Sequence, residues 1–390
     1  MVVCLINTSS MNNLQDKKIA IVGGGPGGLT LARLLQIKGA DVNVYERDKD
    51  SSTRPQGATL DLHDESGLKA LREAGLMDAF RANYRPGADL MHLMDKHANS
   101  LLEESVAGEN DTSRPEIDRG PLQQLLLASL QLGTVVWDSH FVSMTQQNHV
   151  WKLEFKNGTE AFADIVIAAD GANSEIRPYI TPIRSFYSGV TALEGAVYDS
   201  AVNCPQIHQL LNGGKIFAFG DSKSLIVSSK GDGSLVFYPS FKTGEHWVKE
   251  CGIDFTDKTQ VLAWFKTAYE GWDEVWTELF ENCTGNFIPR PLYCMPLDQC
   301  WEAQPNLTML GDAAHLMPPF AGEGVNMAML DALELSECLL DDSFADIHSA
   351  ISAYEQQMRI RASETAADTL VSTEALHSPA AIDFMMSIGG

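Results

Sequence analysis

The chain has 390 residues, 44% of them hydrophobic and 21% charged, enough apolar material for a large core and two closely packed domains. Its 28 basic and 52 acidic side chains leave a net charge of −24, which argues against nucleic acid or an anionic membrane as partner, because both demand a basic stripe. Seven cysteines lie scattered without a C-x-x-C pair, and no apolar run nears the ~18 residues of a membrane span, so the expectation is a reducing, cytoplasmic setting with no disulfide framework and no metal site.

Residues 1–16 read as a loose leader, too short and too poor in basic residues for a signal peptide. Lys18 to Val22 reads as a strand, Gly23 to Gly28 as a tight turn, and Leu29 to Lys38 as a helix burying Leu31, Leu34 and Leu35 and stopped by Gly39. Val42 to Glu46 is the next strand and completes a βαβ start. A helix opens at Asp64-Glu65-Ser66 and closes at Gly75; another spans Pro121 to Leu130. Val135 to Trp137, Trp151 to Phe155 and Ala161 to Ala169 read as strands, with Asn157-Gly158 as a hairpin turn. Between about Pro182 and Arg290 short alternating runs dominate: Gly189 to Tyr198, Lys215 to Phe219, Ser224 to Ser228 and Leu235 to Phe241. One helix, Thr259 to Tyr269, interrupts them. The pattern predicts a mostly antiparallel sheet inserted into a doubly wound α/β domain. Strand-turn-helix logic returns at Leu307, and Ile347 to Leu376 is a long helix.

Three segments carry the chemistry. Gly23, Gly25 and Gly28 satisfy G-x-G-x-x-G between a strand and a helix, where free amides and the helix dipole favour a pyrophosphate. Glu46 ends the following strand and is placed to accept ribose hydroxyls; Arg47 is either an adenosine contact or a solvated surface arginine. Asp170, in Asp170-Gly171-Ala172-Asn173, sits at a strand's C-terminal end, where doubly wound sheets bind ligands. The third segment runs from Gly311 to Asn326. Asp312 can accept from a polyol, Ala313 and Ala314 leave room, and the helix start at Gly322 to Asn326 faces developing negative charge. His315 reads as a packed, hydrogen-bonded histidine rather than a base, since no carboxylate partner is identifiable.

These motifs, in this order, resemble the class A flavoprotein monooxygenases, the para-hydroxybenzoate hydroxylase-like family, over residues 17–376. Tyr45 to Asp48, Gly57 to His63, Pro115 to Arg119 and Tyr354 to Met358 are similar to its tetracycline-inactivating branch. The resemblance implies FAD bound by Gly23, Gly25, Gly28, Glu46, Arg47, Asp61, Arg119, Asp170, Asp312, Pro319, Gly322, Gly324, Val325 and Asn326. It implies a discontinuous Rossmann-like FAD-binding domain (17–85, 105–181, 290–340), a substrate domain (86–104, 182–289) and a C-terminal bridging helix (341–376). NADPH or NADH would visit transiently, and a flavin C4a-hydroperoxide would transfer oxygen from dioxygen to an aromatic or enolic, polyketide-like small molecule. No side-chain nucleophile is implied, and the chain is expected to be a monomer. By local alignment Glu194, Lys215 and Val236 replace the glutamine, arginine and histidine that hold the drug in that branch. Phe217 and Phe237, with Pro319, Phe320 and Gly322, would keep the pocket aromatic-friendly. A halogenase or alkene reductase of the same fold, or a flavoprotein that sequesters a planar ligand, are the alternatives. The Trp-x-Trp-x-Ile-Pro stretch of such halogenases is absent.

Overall fold

Ile19 to Val22 and Ile165 to Ala168 are buried at every position, as strands must be when helices cover both faces of a parallel sheet. The computed structural model describes residues 14–51, 59–105 and 114–388; most of the expected leader and the start of the Gly57 to His63 stretch lie outside them. The first sheet has five parallel strands in the order Leu307–Met309, Ile165–Ala168, Lys18–Val22, Asp41–Tyr45 and Val135–Val136. The helices Pro26–Gln36 and Gly324–Leu340 meet beside it. A Cβ on Gly27 would stand 2.7 Å from Leu310 Cδ1 and 2.9 Å from the Ala328 carbonyl oxygen, so the helices approach this closely only because that position lacks a side chain.

The predicted strand from Ala161 to Ala169 is in fact two. Glu160–Ala163 pairs antiparallel with Val150–Phe155, whereas Ile165–Ala168 enters the parallel sheet. The break falls at Asp164, whose carboxylate accepts from the Lys18 amide at 2.9 Å and whose own amide donates to the Lys18 carbonyl. The helix expected from Asp64 starts at Gly67, because the His63 amide is held by Asn326 Oδ1 at 2.9 Å and the next three residues form a turn.

The second sheet has seven strands in the order Ile288–Cys294, Phe186–Val197, Leu235–Lys242, Lys223–Ser229, Lys215–Gly220, Leu90–Asp95 and Ser100–Ser105. All neighbours are antiparallel except Lys215–Gly220 beside Leu90–Asp95. Side chains alternate between its faces. Leu193, Leu235, Phe237, Leu225, Val227 and Ile216 face one way, into a core shared with Val261, Phe265, Leu279 and Phe280 of the helices Lys258–Ala268 and Thr277–Glu281. Glu194, Tyr238, Ile226, Phe217 and Leu93 form a row on the other face, toward the parallel-sheet half.

The helix Ile347–Leu376 begins with a capping box between Asp346 and Ser349. Near its start, Tyr354 donates to the Met309 carbonyl and Glu355 accepts from Thr308 and Trp301. Just past its end, His377 bonds Ser240 of the antiparallel sheet at 2.8 Å. A final helix, Ala381–Ile388, not anticipated from the sequence, covers Leu93 and Phe219. No described helix is long and apolar enough to cross a membrane.

A Cβ on Gly28 would lie 2.1 Å from the Gly23 carbonyl oxygen, a backbone atom that cannot move without reopening the turn. Gly28→Ala is therefore expected to cost about 1–3 kcal/mol, read as a lower urea midpoint with an unchanged slope.

Candidate active site

The first glycine turn is held by backbone approach. Gly23 adopts φ +114°, and a Cβ there would stand 2.1 Å from the Ala169 carbonyl oxygen. Gly25 has open space where its side chain would be, at the amide end of the helix Pro26–Gln36. That opening suits a diphosphate. Glu46 is buried, and its two carboxylate oxygens accept from the Gly24 amide at 2.6 Å and the Asp48 amide at 3.0 Å. It fastens the turn. Arg47 is exposed and lines a shallow recess with Asp138, His140, Lys156 and Asn157.

Asp170 lies beside this turn, its backbone nitrogen 2.9 Å from the Cβ that Gly23 lacks. One carboxylate oxygen accepts from the Glu175 and Ile176 amides; the other is buried with no partner among the described residues. Burial raises the Asp170 pKa against these hydrogen bonds. The side chain thus organises its own turn.

The third segment is braced from behind. Gly311 adopts φ +61° and gives its amide to Asp331 Oδ2 at 2.8 Å. The same oxygen bonds His315 Nε2 at 2.5 Å, while Asp331 Oδ1 accepts from Arg361 Nη2 at 2.6 Å. His315 therefore has a carboxylate partner, sixteen residues downstream, which no local motif marks. Burial lowers the His315 pKa, but the Asp331 charge and hydrogen bond outweigh it and leave it raised. Arg177 donates to the Ala313 and Ala314 carbonyls at 2.9 and 2.8 Å, and burial depresses its pKa to about 10. Asp312 lies deep in the fold, and burial raises its carboxyl pKa despite the His315 and Arg119 charges. It is nonetheless exposed.

Pro319 is exposed, and Phe320 packs on the His377 ring at 4.9 Å. Gly322 adopts φ +72°, with Asp61 Oδ1 3.2 Å from the Cβ it lacks. Gly324 has open space around it and, with Val325, begins a helix whose first amides are free for a ligand. Asn326 follows in the same helix start. Its side chain is fully buried, accepting from the His63 amide and donating to the Asp61 carbonyl, which leaves only its backbone for a ligand. Asp61 bonds His63 at 3.0 Å, and His63 faces Glu323 at 3.5 Å. Burial raises the Asp61 pKa, but the His63 hydrogen bond and the Lys215 charge bring it below its ordinary value.

On the sheet side the expected residues separate. Phe237 is completely buried on the far face, edge-on to Phe280 and Phe287; strand alternation removes it from the pocket. Val236 shares the cleft-side face with Lys215 but is 2% exposed. Phe217 packs with Phe320 and Phe219. Glu194 is paired with Arg290 at 2.9 Å, and Lys215 forms a close ion pair with Glu116. Tyr238 joins Glu194 on the cleft side; burial raises its phenol pKa, with Glu194 adding and Arg119 and Arg290 opposing. The charge of Arg119 acts on both Asp312 and Tyr238. Tyr238, Arg290, Glu116, Asp331 and Arg361 carry no signal as site residues in the sequence. Only the alternation from Val236 to Tyr238 could have pointed to one of them.

Residues 16–218 and 302–366 match the FAD binding domain family, and the chain belongs to it, among the FAD-dependent monooxygenases. It is 31% identical to Monooxygenase asqM of Emericella nidulans, across 90% of this chain and 93% of that one. The structure of Klebsiella pneumoniae HpxO with FAD and uric acid aligns with a TM-score of 0.77 at 20% identity, covering 98% of this chain and 93% of that one. The tetracycline destructase Tet(51) aligns at 0.73 and 17% identity, over 96% and 94%; at that distance the likeness is one of fold alone.

Two measurements probe the bracing. Asp331→Asn should destabilise the protein by about 3–5 kcal/mol in urea unfolding, since a buried charge pair loses a partner, and the protein should release FAD more readily on dilution. Burial pushes Glu116 up to about 7 against the lowering charge of Lys215. Its folded-state pKa is raised, so its stability contribution is complete below the ordinary 4.5 and lost as pH climbs through about 7. The loss is on the order of 3 kcal/mol. Glu116→Gln should flatten the decline in unfolding free energy between pH 5 and 8.

Proposed function

We propose that the chain is an NAD(P)H-dependent FAD monooxygenase that places one oxygen atom of dioxygen on an electron-rich carbon of a planar aromatic or enolic molecule. The observation that carries this reading is the open backbone at Gly25 and Gly324, each at a helix N-terminus, with the exposed Asp312 in the same segment as the second. Bound FAD supplies the electron transfer and the activation of dioxygen. The chain supplies position and field. Open space at Gly25 admits the diphosphate, and Asp312 accepts from the ribityl hydroxyls. The first amides of the helix Gly324–Leu340 would stabilise negative charge on a flavin held there. Phe217 and Phe320, packed with Phe219 and Leu376, exclude water from one end of the cleft.

A compact heteroaromatic substrate fits this cleft better than a tetracycline. Lys215 is engaged by Glu116, Val236 is buried and Phe237 faces away. The polar edge of a large drug would find only Glu194, Arg290 and Tyr238.

Purified protein loaded with FAD should oxidise NADH or NADPH faster when a suitable planar heteroaromatic is added. Under ¹⁸O₂ the product should gain one labelled oxygen by mass spectrometry. Stimulated consumption that yields only peroxide, or no stimulation across a broad panel of such compounds, would reject the reading.

A further inference from the structure

Glu194 and Arg290 come from neighbouring strands of the antiparallel sheet, Phe186–Val197 and Ile288–Cys294. Arg290 Nε and Nη2 both approach Glu194 Oε2, at 3.0 and 2.9 Å. That geometry uses one oxygen of the carboxylate and one side of the guanidinium. Glu194 Oε1 and Arg290 Nη1 make no hydrogen bond among the described residues. The pair therefore presents a charged acceptor beside a charged donor. Neither group is sealed: the side chains are 18% and 52% exposed.

Tyr238 lies on the adjacent strand, on the same face, within electrostatic reach of both partners and of Arg119. Its hydroxyl also makes no hydrogen bond among the described residues. Burial keeps the phenol protonated, so it serves as a donor. Ile226 and Phe217 continue the row as an apolar floor. A flat ring resting on that floor would bring one polar edge to the Glu194–Arg290–Tyr238 corner.

We infer that this corner recognises a cyclic amide edge, a ring carbonyl next to a ring N–H, on the substrate. Arg290 and Tyr238 donate to the carbonyl, and Glu194 accepts the N–H. A carboxylate beside a guanidinium satisfies both halves of such an edge, whereas an edge of two acceptors would leave Glu194 facing a lone pair. The inference rests on the proposed reading of the cleft as the substrate site. It also makes Glu194 and Arg290 specificity-determining residues, with no part in the chemistry of oxygen transfer.

The test uses FAD-loaded protein and two probes, isoquinolin-1(2H)-one and its N-methyl derivative, titrated by the change in flavin absorbance. The N–H probe should bind at least about tenfold more tightly, the effect expected of one hydrogen bond to a charged group. Glu194→Ala should erase that preference while FAD content stays unchanged. Arg290→Met should weaken both probes by a similar factor and keep the ratio. Tyr238→Phe, the most conservative change, should weaken both by a smaller factor. Equal affinity of the two probes, no measurable binding of the N–H probe, or a preference that survives Glu194→Ala would overturn the inference. Failure of the oxygenation reading is seen separately: the probe preference would persist while no compound stimulated NAD(P)H oxidation.

Discussion

One buried carboxylate holds the flavin end of this fold in place. Asp331 has no exposed surface, yet it takes the Gly311 amide, the His315 ring and the Arg361 guanidinium at once. Burial alone would raise its pKa, but the His315 and Arg361 charges more than offset that and leave it lowered. Three pieces of chain far apart in sequence are thereby joined: the turn after Leu307–Met309, the helix Gly324–Leu340 and the long helix Ile347–Leu376. Arg177 completes the frame from the Asp170 segment by taking the Ala313 and Ala314 carbonyls. The long helix therefore braces the Gly311 to Asn326 segment from behind. It sets the left-handed turn at Gly311, and that turn sets where Asp312 points.

The second constraint is the alternation of the antiparallel sheet. Each strand must give one face to the aromatic core around Phe265 and Phe280 and the other to the cleft. Phe237 falls on the core side and Tyr238 on the cleft side, so a shift of one residue exchanges an apolar wall for a hydroxyl. Charges on the cleft side come as pairs: Glu194 with Arg290, Lys215 with Glu116, Asp61 with His63. In a chain of net charge −24, placing Arg119, Lys215 and Arg290 at this one surface offsets its local acidity. It also leaves polar edges, rather than one bare charge, for recognition.

The glycine turn at 23–28, the Asp170 turn and the Gly311 to Asn326 segment were all legible, because each is a local requirement. A tight turn needs positive φ, and close approach of strand and helix needs a missing Cβ; both leave glycines at fixed spacing. The long helix was legible over its full length from periodicity. The break at Asp164 was not, since one aspartate in the otherwise apolar run from Ala161 to Ala169 does not by itself say that the run serves two sheets. Nor was the partner of His315, because Asp331 lies sixteen residues downstream on the next helix, past the end of the Gly311 to Asn326 motif.

The sequence by itself determined the βαβ start, the places where a dinucleotide can touch backbone and the family to which the chain belongs. These follow from short-range sterics and hydrogen-bonding needs that a few neighbouring residues express in full. Tertiary structure alone decided the polar corner of the cleft. Strand pairing sets Arg290 beside Glu194, Glu116 closes on Lys215, and the Asn326 side chain is taken by the His63 amide and the Asp61 carbonyl. Long-range pairing fixes the charge and the hydrogen-bonding capacity of a side chain, and that pairing is written in the register of strands rather than in the order of residues.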